Sequence, residues 1–213
     1  MPNRREFLLG VMLMPTLALA QEEASRELPP PQNPRNALLI DALKLRKSSR
    51  EFSEKRLPLG LVSSLLWAAL GINRSDSGKR TAPSAHNWQE IDVYAVLPEG
   101  IFRYDAAAHA LQRTVSGDFR ALTGLQDFVG RAPLNLVYVA NLSRMTDASA
   151  EDRAFFLAAD AGFVAQNVYL FCAAEGLATV VRGLVDRKAL ASAMRLRPDQ
   201  RIVLAQTVGY PAA

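Results

Sequence analysis

The chain of 213 residues is 49% hydrophobic and 22% charged, which suits one domain with a substantial core and excludes a disordered polyelectrolyte. Its formal charge of +4 is mild and spread along the chain, with no run of Lys and Arg interleaved with aromatics, so no nucleic-acid partner is expected. The single cysteine, Cys172, excludes an intrachain disulfide, and with only His86 and His109 beside it a Cys/His zinc cluster is effectively ruled out; only a carboxylate-rich metal site stays open, and no metal is assigned.

Residues 1–20 read as an address. Arg4 and Arg5 precede an apolar run over residues 7–20, and Ala18-Leu19-Ala20 supplies the small residues of a cleavage site before Gln21. This pattern resembles a twin-arginine export signal, which implies a periplasmic or otherwise exported protein, delivered folded and often with its cofactor inserted. The run is shorter than the roughly 20 residues that cross a bilayer, so removal is expected over retention as an anchor, with no stable membrane span afterwards. Residues 21–32 are polar and carry Pro29-Pro30-Pro31, which predicts an extended tether. The folded domain is expected over residues 33–213.

Asn33-Pro34 offers a helix N-cap followed by proline at the first helical position, and Leu38, Leu39, Ala42, Leu43 and Leu45 recur at helical spacing up to Lys47-Ser48-Ser49. A second helix is predicted over residues 59–70, with Val62, Leu65, Leu66 and Ala69 facing inward and Gly71 as a left-handed C-terminal residue. Trp67 on this helix is expected to pack against the core or a partner. Residues 72–88 have no periodicity and read as a long loop of the kind that carries function. Strands are predicted at residues 91–97, 101–104, 110–114, 134–140 and 201–208, the second and third forming a hairpin whose turn holds His109.

Residues 155–177 are apolar nearly all round as a helix, with Asp160, Gln166, Asn167 and Glu175 the strongly polar exceptions. Such a helix needs cover on every side. A second copy of the chain is the simplest cover, and Ala158, Ala159, Ala161, Gly162 and Ala165 would let backbones approach, so a homodimer is expected. Burial within one chain is the alternative; a transmembrane helix is opposed by Asp160, Gln166 and Asn167 in mid-segment. Cys172 reads as a small core residue.

Arg46-Lys47-Ser48-Ser49-Arg50 places three cations and two hydroxyls where the first helix ends. Guanidinium, ammonium and hydroxyl donors together suit a phosphate, although a basic helix end also serves simply to complement the helix dipole. The second cluster, Pro83-Ser84-Ala85-His86-Asn87-Trp88-Gln89, stands just before the first core strand.

Arg-x-Ser-x-Arg after the first helix, residues 65–73, Pro83-Ser84-Ala85, Gly100 to Asp105, Asp160-Ala161-Gly162 with Gln166-Asn167, residues 175–179 and Val208-Gly209-Tyr210-Pro211 follow one another in an order that resembles the nitroreductase superfamily of FMN-dependent oxidoreductases. The resemblance covers residues 33–211, and the hairpin after the first strand especially resembles the branch of azoline-oxidising dehydrogenases.

It implies an α+β, nitroreductase-like fold: a mixed, mainly antiparallel sheet flanked by helices, dimeric, with FMN at the interface. Carried over residue by residue, it implies that Arg46, Lys47, Ser48 and Arg50 bind the phosphate, ribityl chain or pyrimidine edge of FMN, while Pro83, Ser84, Ala85 and Asn87 come from the partner subunit. Arg182 and Gly183 match the segment over flavin N5, where a backbone N–H reaches that atom, and Gln126 is a further candidate for the pyrimidine rim. The implied activity is hydride transfer through N5 to a small-molecule acceptor in a two-step, ping-pong cycle, with Arg50 or Lys47 stabilising the negative charge of reduction. His86 is a candidate proton donor, though a loop histidine is more often a packing or rim residue; Trp88 either lines the pocket or anchors the loop. No basic residue follows the last strand to help hold the phosphate. Export would leave NAD(P)H a doubtful donor and the electron donor open. Two other readings stay in view, a non-catalytic flavin or phosphate-ligand binding module on the same fold, and a cytoplasmic NAD(P)H nitroreductase whose N-terminus only imitates a signal.

Overall fold

In the structure, a computed structural model, residues 25–32 and 35–212 are described. Chain order is β1 (Ser25–Glu27), α1 (Leu39–Leu45), α2 (Leu59–Leu70), β2 (Ile72–Arg74), β3 (Lys79–Arg80), β4 (Ile91–Leu97), β5 (Gly100–Asp105), β6 (Ala110–Ser116), β7 (Leu134–Asn141), α3 (Ala150–Glu175), β8 (Ala178–Arg182), α4 (Arg187–Ala193) and β9 (Gln200–Gly209). Seven strands form one sheet in the order β1-β6-β5-β4-β7-β9-β8, and each neighbouring pair is antiparallel. Side chains therefore alternate between two faces. Val93, Ala95, Leu136, Tyr138 and Ala140 pack under α2 and α3, while Tyr94, Val96, Val137 and Val139 pack with Leu190 and Met194 of the α4 region. This is the expected α+β fold.

The expected helices and strands are present, but α1 starts only at Leu39, with the extended Leu38 as its N-cap, and not after Pro34; α3 runs Ala150–Glu175, from an N-cap in which Ser149 accepts the N–H of Asp152 to Gly176 in the left-handed conformation. Gly71 corrects an expectation. Its φ of −67° is not left-handed; glycine is needed there because a β-carbon would collide with the ring and carbonyl oxygen of Trp67. Residues 72–88, expected as loop, hold the β2–β3 hairpin and a 3-10 turn at Ala85–Asn87. Residues 25–32 are extended as expected but docked: β1 pairs with β6, Leu28 is buried, and His109 donates from Nε2 to Pro29 O (3.1 Å) and shares hydrogen bonds with Ser63 Oγ (2.8 Å) and Tyr104 OH (2.9 Å). The address at residues 1–20 and the cap at Asn33-Pro34 lie outside the described residues.

Within one chain α3 is covered on one stripe only. Leu157, Asp160, Ala161, Val164, Val168 and Cys172 are buried, and burial pushes the Cys172 thiol far above its ordinary pKa, as befits a core residue. Phe155 and Phe163 are 67% and 47% exposed on the outer side, and Leu38, Leu39, Ile40 and Leu43 of the α1 region are exposed as well. Although α3 is long and apolar enough to cross a membrane, its buried stripe packs as the core helix of this sheet.

Candidate functional site

Beyond Arg46 the chain stops being helical and runs beside β8, where the Ser49 N–H donates to the Thr179 carbonyl at 2.9 Å. Tyr169 of α3 organises this run. Its ring lies 5.3 Å from the Arg46 guanidinium, its hydroxyl shares a 2.8 Å hydrogen bond with Ser48 Oγ, and the same hydroxyl accepts the Val181 N–H at 2.9 Å. A cleft of about 400 Å³ opens there, lined among others by Lys47, Ser49, Glu51, Tyr169 and Thr179. Lys47 and Arg50 are exposed and have no hydrogen bond or ion pair among the described residues. Of the four predicted phosphate ligands only Lys47 lines this cleft; Arg46 and Ser48 are engaged by Tyr169, one of its walls, and Arg50 is exposed on the same run of chain.

Gln126, Arg182 and Gly183 also come together. Arg182 is buried, and its guanidinium donates to Thr123 O (2.7 Å), Asn135 Oδ1 (3.0 Å) and, at 3.5 Å, Gln126 Oε1. Burial lowers its pKa to about 10, which still leaves it cationic near neutrality. Gly124 has to be glycine, since a β-carbon would strike that guanidinium. The Arg182 side chain is therefore a brace for the end of β8, and what it leaves for a ligand is the main chain of residues 182–183. Gly183 is exposed, with nothing within 4 Å of where a β-carbon would stand.

The turn of residues 83–87 sits elsewhere on the chain. Ala85 donates its N–H to Asp160 Oδ2 at 2.9 Å, Ser84 Oγ donates to Glu90 Oε2 at 3.1 Å, and Ser84 Oγ accepts the Gln89 N–H at 2.8 Å. Those groups hold the turn itself. His86, Asn87 and Gln89 have φ of 50°, 56° and 50°, a left-handed run of non-glycine residues that such bonds must over-determine. Pro83 and Asn87 stay exposed. The His86 ring stacks on Trp88 at 4.6 Å and meets Phe156 edge-on at 6.2 Å, while Trp88 Nε1 donates to Asp147 at 3.1 Å. Both residues thus anchor the loop's rim.

Glu90 and Asp160 escaped the sequence reading as a pair. Glu90 is fully buried, its Oε1 lacks a hydrogen-bond partner, and burial beside Asp160 raises its pKa to about 7. The available signal was Asp160 itself, a carboxylate in the middle of an apolar helix. Tyr169 gave no comparable signal.

The sequence profile of the nitroreductase family matches residues 43–210. The chain belongs to the nitroreductase family. A nitroreductase-family protein of Methanocaldococcus jannaschii is 35% identical over 156 residues, covering 68% of this chain and 78% of its own. A nitroreductase-family crystal structure from Ralstonia eutropha JMP134 superposes with a TM-score of 0.86 at 46% identity, covering 98% of both chains. At the level of fold alone, the Escherichia coli microcin synthetase McbBCD complex matches with a TM-score of 0.69 and 18% identity over 96% of this chain and 85% of that one. Membership makes the protein an oxidoreductase of a family that is flavin-dependent in general. In this nitroreductase the predicted ligands fall into two groups: residues 46–50 with Gln126 and residues 182–183 around β8, and residues 83–87 hung from Asp160.

Proposed function

We propose that the protein is an FMN-dependent oxidoreductase that works as a homodimer and passes hydride to a small organic acceptor. The observation that carries the reading is the separation of the two ligand groups along one helix. One is anchored at Tyr169 and the other at Asp160, nine residues apart, or about 14 Å at the α-helical rise. Between these anchors the outer face of α3 presents Phe163 and Gly162, and a β-carbon added at Gly162 would meet nothing within 4 Å. A two-fold axis near Gly162 would set each chain's turn against its partner's cleft and cover the apolar face at the same time.

The donor set fits FMN. Arg46, Lys47 and Arg50 would hold the dianionic phosphate, and the main chain at residues 182–183 would face N5, kept in place by the bonds from Arg182 to Thr123 and Asn135. Asn87, with its exposed amide, would reach the ring from the partner subunit. When bound, the flavin supplies hydride chemistry at N5, in which donor and acceptor take turns in one pocket. The chain's own contribution is orientation and a cationic field, since Arg182 and the residue 46–50 cluster favour the negative charge of reduction. Solvent can furnish the proton, as His86 is committed to Trp88.

Residues 1–20 support a further part of this reading, export in folded form to the periplasm or beyond. There a quinol or a redox protein suits the role of electron donor better than NAD(P)H. The test is to purify the protein and record its visible spectrum and its mass in solution. A flavin spectrum on a particle of twice the chain mass supports the proposal; a colourless monomer that takes up no added FMN sinks it.

A further inference from the structure

A second cleft, of about 350 Å³, lies between the β2–β3 hairpin and the turn that follows it. Arg74, Lys79 and Arg80 line it on one side and Ser84, Asn87 and Gln89 on the other, and none of its lining residues is acidic. The charges are only partly used within the chain. Arg80 donates to Gln89 Oε1 at 2.8 Å and to the Leu70 carbonyl at 3.2 Å, and Arg74 donates to the Arg80 carbonyl at 2.6 Å. Lys79 has no hydrogen bond or ion pair among the described residues. Burial, and then the positive charge of Arg144, lower the Arg80 pKa, while Asp92, which acts the other way, is already paired with Arg144 at 3.1 Å. Three cations converging on a concave surface without a lining carboxylate focus a positive potential into it.

We infer that this cleft takes the carboxylate or phosphate of a reactant that meets the flavin, so that Arg74, Lys79 and Arg80 determine specificity for anionic substrates. The inference rests on the proposed function, because one wall of the cleft is Ser84 and Asn87 of the turn assigned to the partner's flavin. Its volume suits a small planar molecule or one end of a larger one. Arg80 also braces the turn, so it serves both the fold and the charge. Arg74 and Lys79 are exposed and serve mainly the charge.

The experiment compares the wild-type protein with the double variant Arg74→Gln, Lys79→Gln, checked for folding by circular dichroism. Equilibrium dialysis at low salt uses 4-nitrobenzoate, neutral nitrobenzene and NADH. Affinity for at least one of the two anions is expected to fall about tenfold, with nitrobenzene unchanged and the difference shrinking as salt is added. Turnover then tells the sources apart. A drop in the ratio of kcat/KM for 4-nitrobenzoate to that for nitrobenzene assigns the anion to the acceptor, and a drop in the rate at which NADH reduces the oxidised protein assigns it to the donor. Equal affinity of both proteins for both anions overturns the inference. A protein without flavin would defeat the redox reading instead, and dialysis would still report on the cleft.

Discussion

Asp160 Oδ2 accepts the main-chain N–H of Ala85 at 2.9 Å, joining the middle of α3 to the turn of residues 83–87. Asp160→Ala leaves that N–H without its partner, which costs about 1–3 kcal/mol. A lower Tm is expected, together with a disproportionate loss of flavin, because the left-handed residues 86, 87 and 89 depend on this tether. Asp160→Asn keeps an acceptor oxygen and should recover most of both. An Asp160→Ala protein with wild-type flavin content and Tm would show that the turn holds itself.

Glu90 sets a pH dependence. Its ordinary pKa of 4.5 is raised to about 7 by burial and the adjacent Asp160. Between those values the folded protein keeps a proton that the unfolded chain has lost, so stability is highest below about 4.5 as far as this group is concerned. It falls as pH rises to about 7, at up to roughly 1.4 kcal/mol per pH unit. Glu90→Gln, which cannot ionise, should flatten the Tm profile from pH 5 to pH 8. Parallel profiles for the two proteins would contradict this.

Strong periodicity made most of the fold legible. Residues 91–97 alternate between two buried faces, and residues 59–70 repeat at helical spacing, so both elements stand where their patterns put them. β8 and α4 were missed because Ala178–Arg182 follows the apolar α3 after a two-residue break, and its buried run merges with the helix pattern. β1 was hidden among prolines and charges, since its three residues are exposed and only Leu28, just after it, is buried. At the site, the basic run and the Pro-Ser-Ala turn were readable as residue types. That the Arg182 guanidinium, the Ser48 hydroxyl and the Ala85 N–H are committed to Thr123, Tyr169 and Asp160 was not, because those partners lie 59, 121 and 75 positions away and meet only through sheet register and helix packing.

Gly71 tests a packing argument. Trp67 fills the space where a β-carbon would stand, and the clash includes its main-chain oxygen, which cannot swing aside. Gly71→Ala should cost about 1–3 kcal/mol through displaced backbone. Urea denaturation reads this directly. A neutral outcome would mean that the end of α2 yields more readily than its packing suggests.

Arg46→Ala combined with Arg50→Ala separates binding from folding. Both side chains lie at the surface, and the fold loses little beyond the contact of Arg46 with Tyr169, worth about 0.5–1 kcal/mol. Each charge-assisted bond to phosphate carries about 1.5–3 kcal/mol, so FMN affinity should drop at least about a hundredfold. Fluorescence titration of the apoprotein measures it. Unchanged affinity would remove the phosphate from this end of α1.

The dimer is tested at Phe163, which is 47% exposed on the outer face of α3 between the two ligand anchors. Phe163→Glu puts a carboxylate where two copies would pack, and a buried unpaired charge is far more costly there than the lost ring contact. In a single chain the same side chain faces water, so secondary structure should survive. Sedimentation should then show monomers, and the monomers should lose flavin even though every predicted ligand is intact, because each cleft lacks its partner's Asn87. A monomer that stays yellow would mean that residues 46–50 and 182–183 suffice, and a dimer that persists would place the two-fold elsewhere, with the exposed Leu39, Ile40 and Leu43 of α1 as the next face to charge.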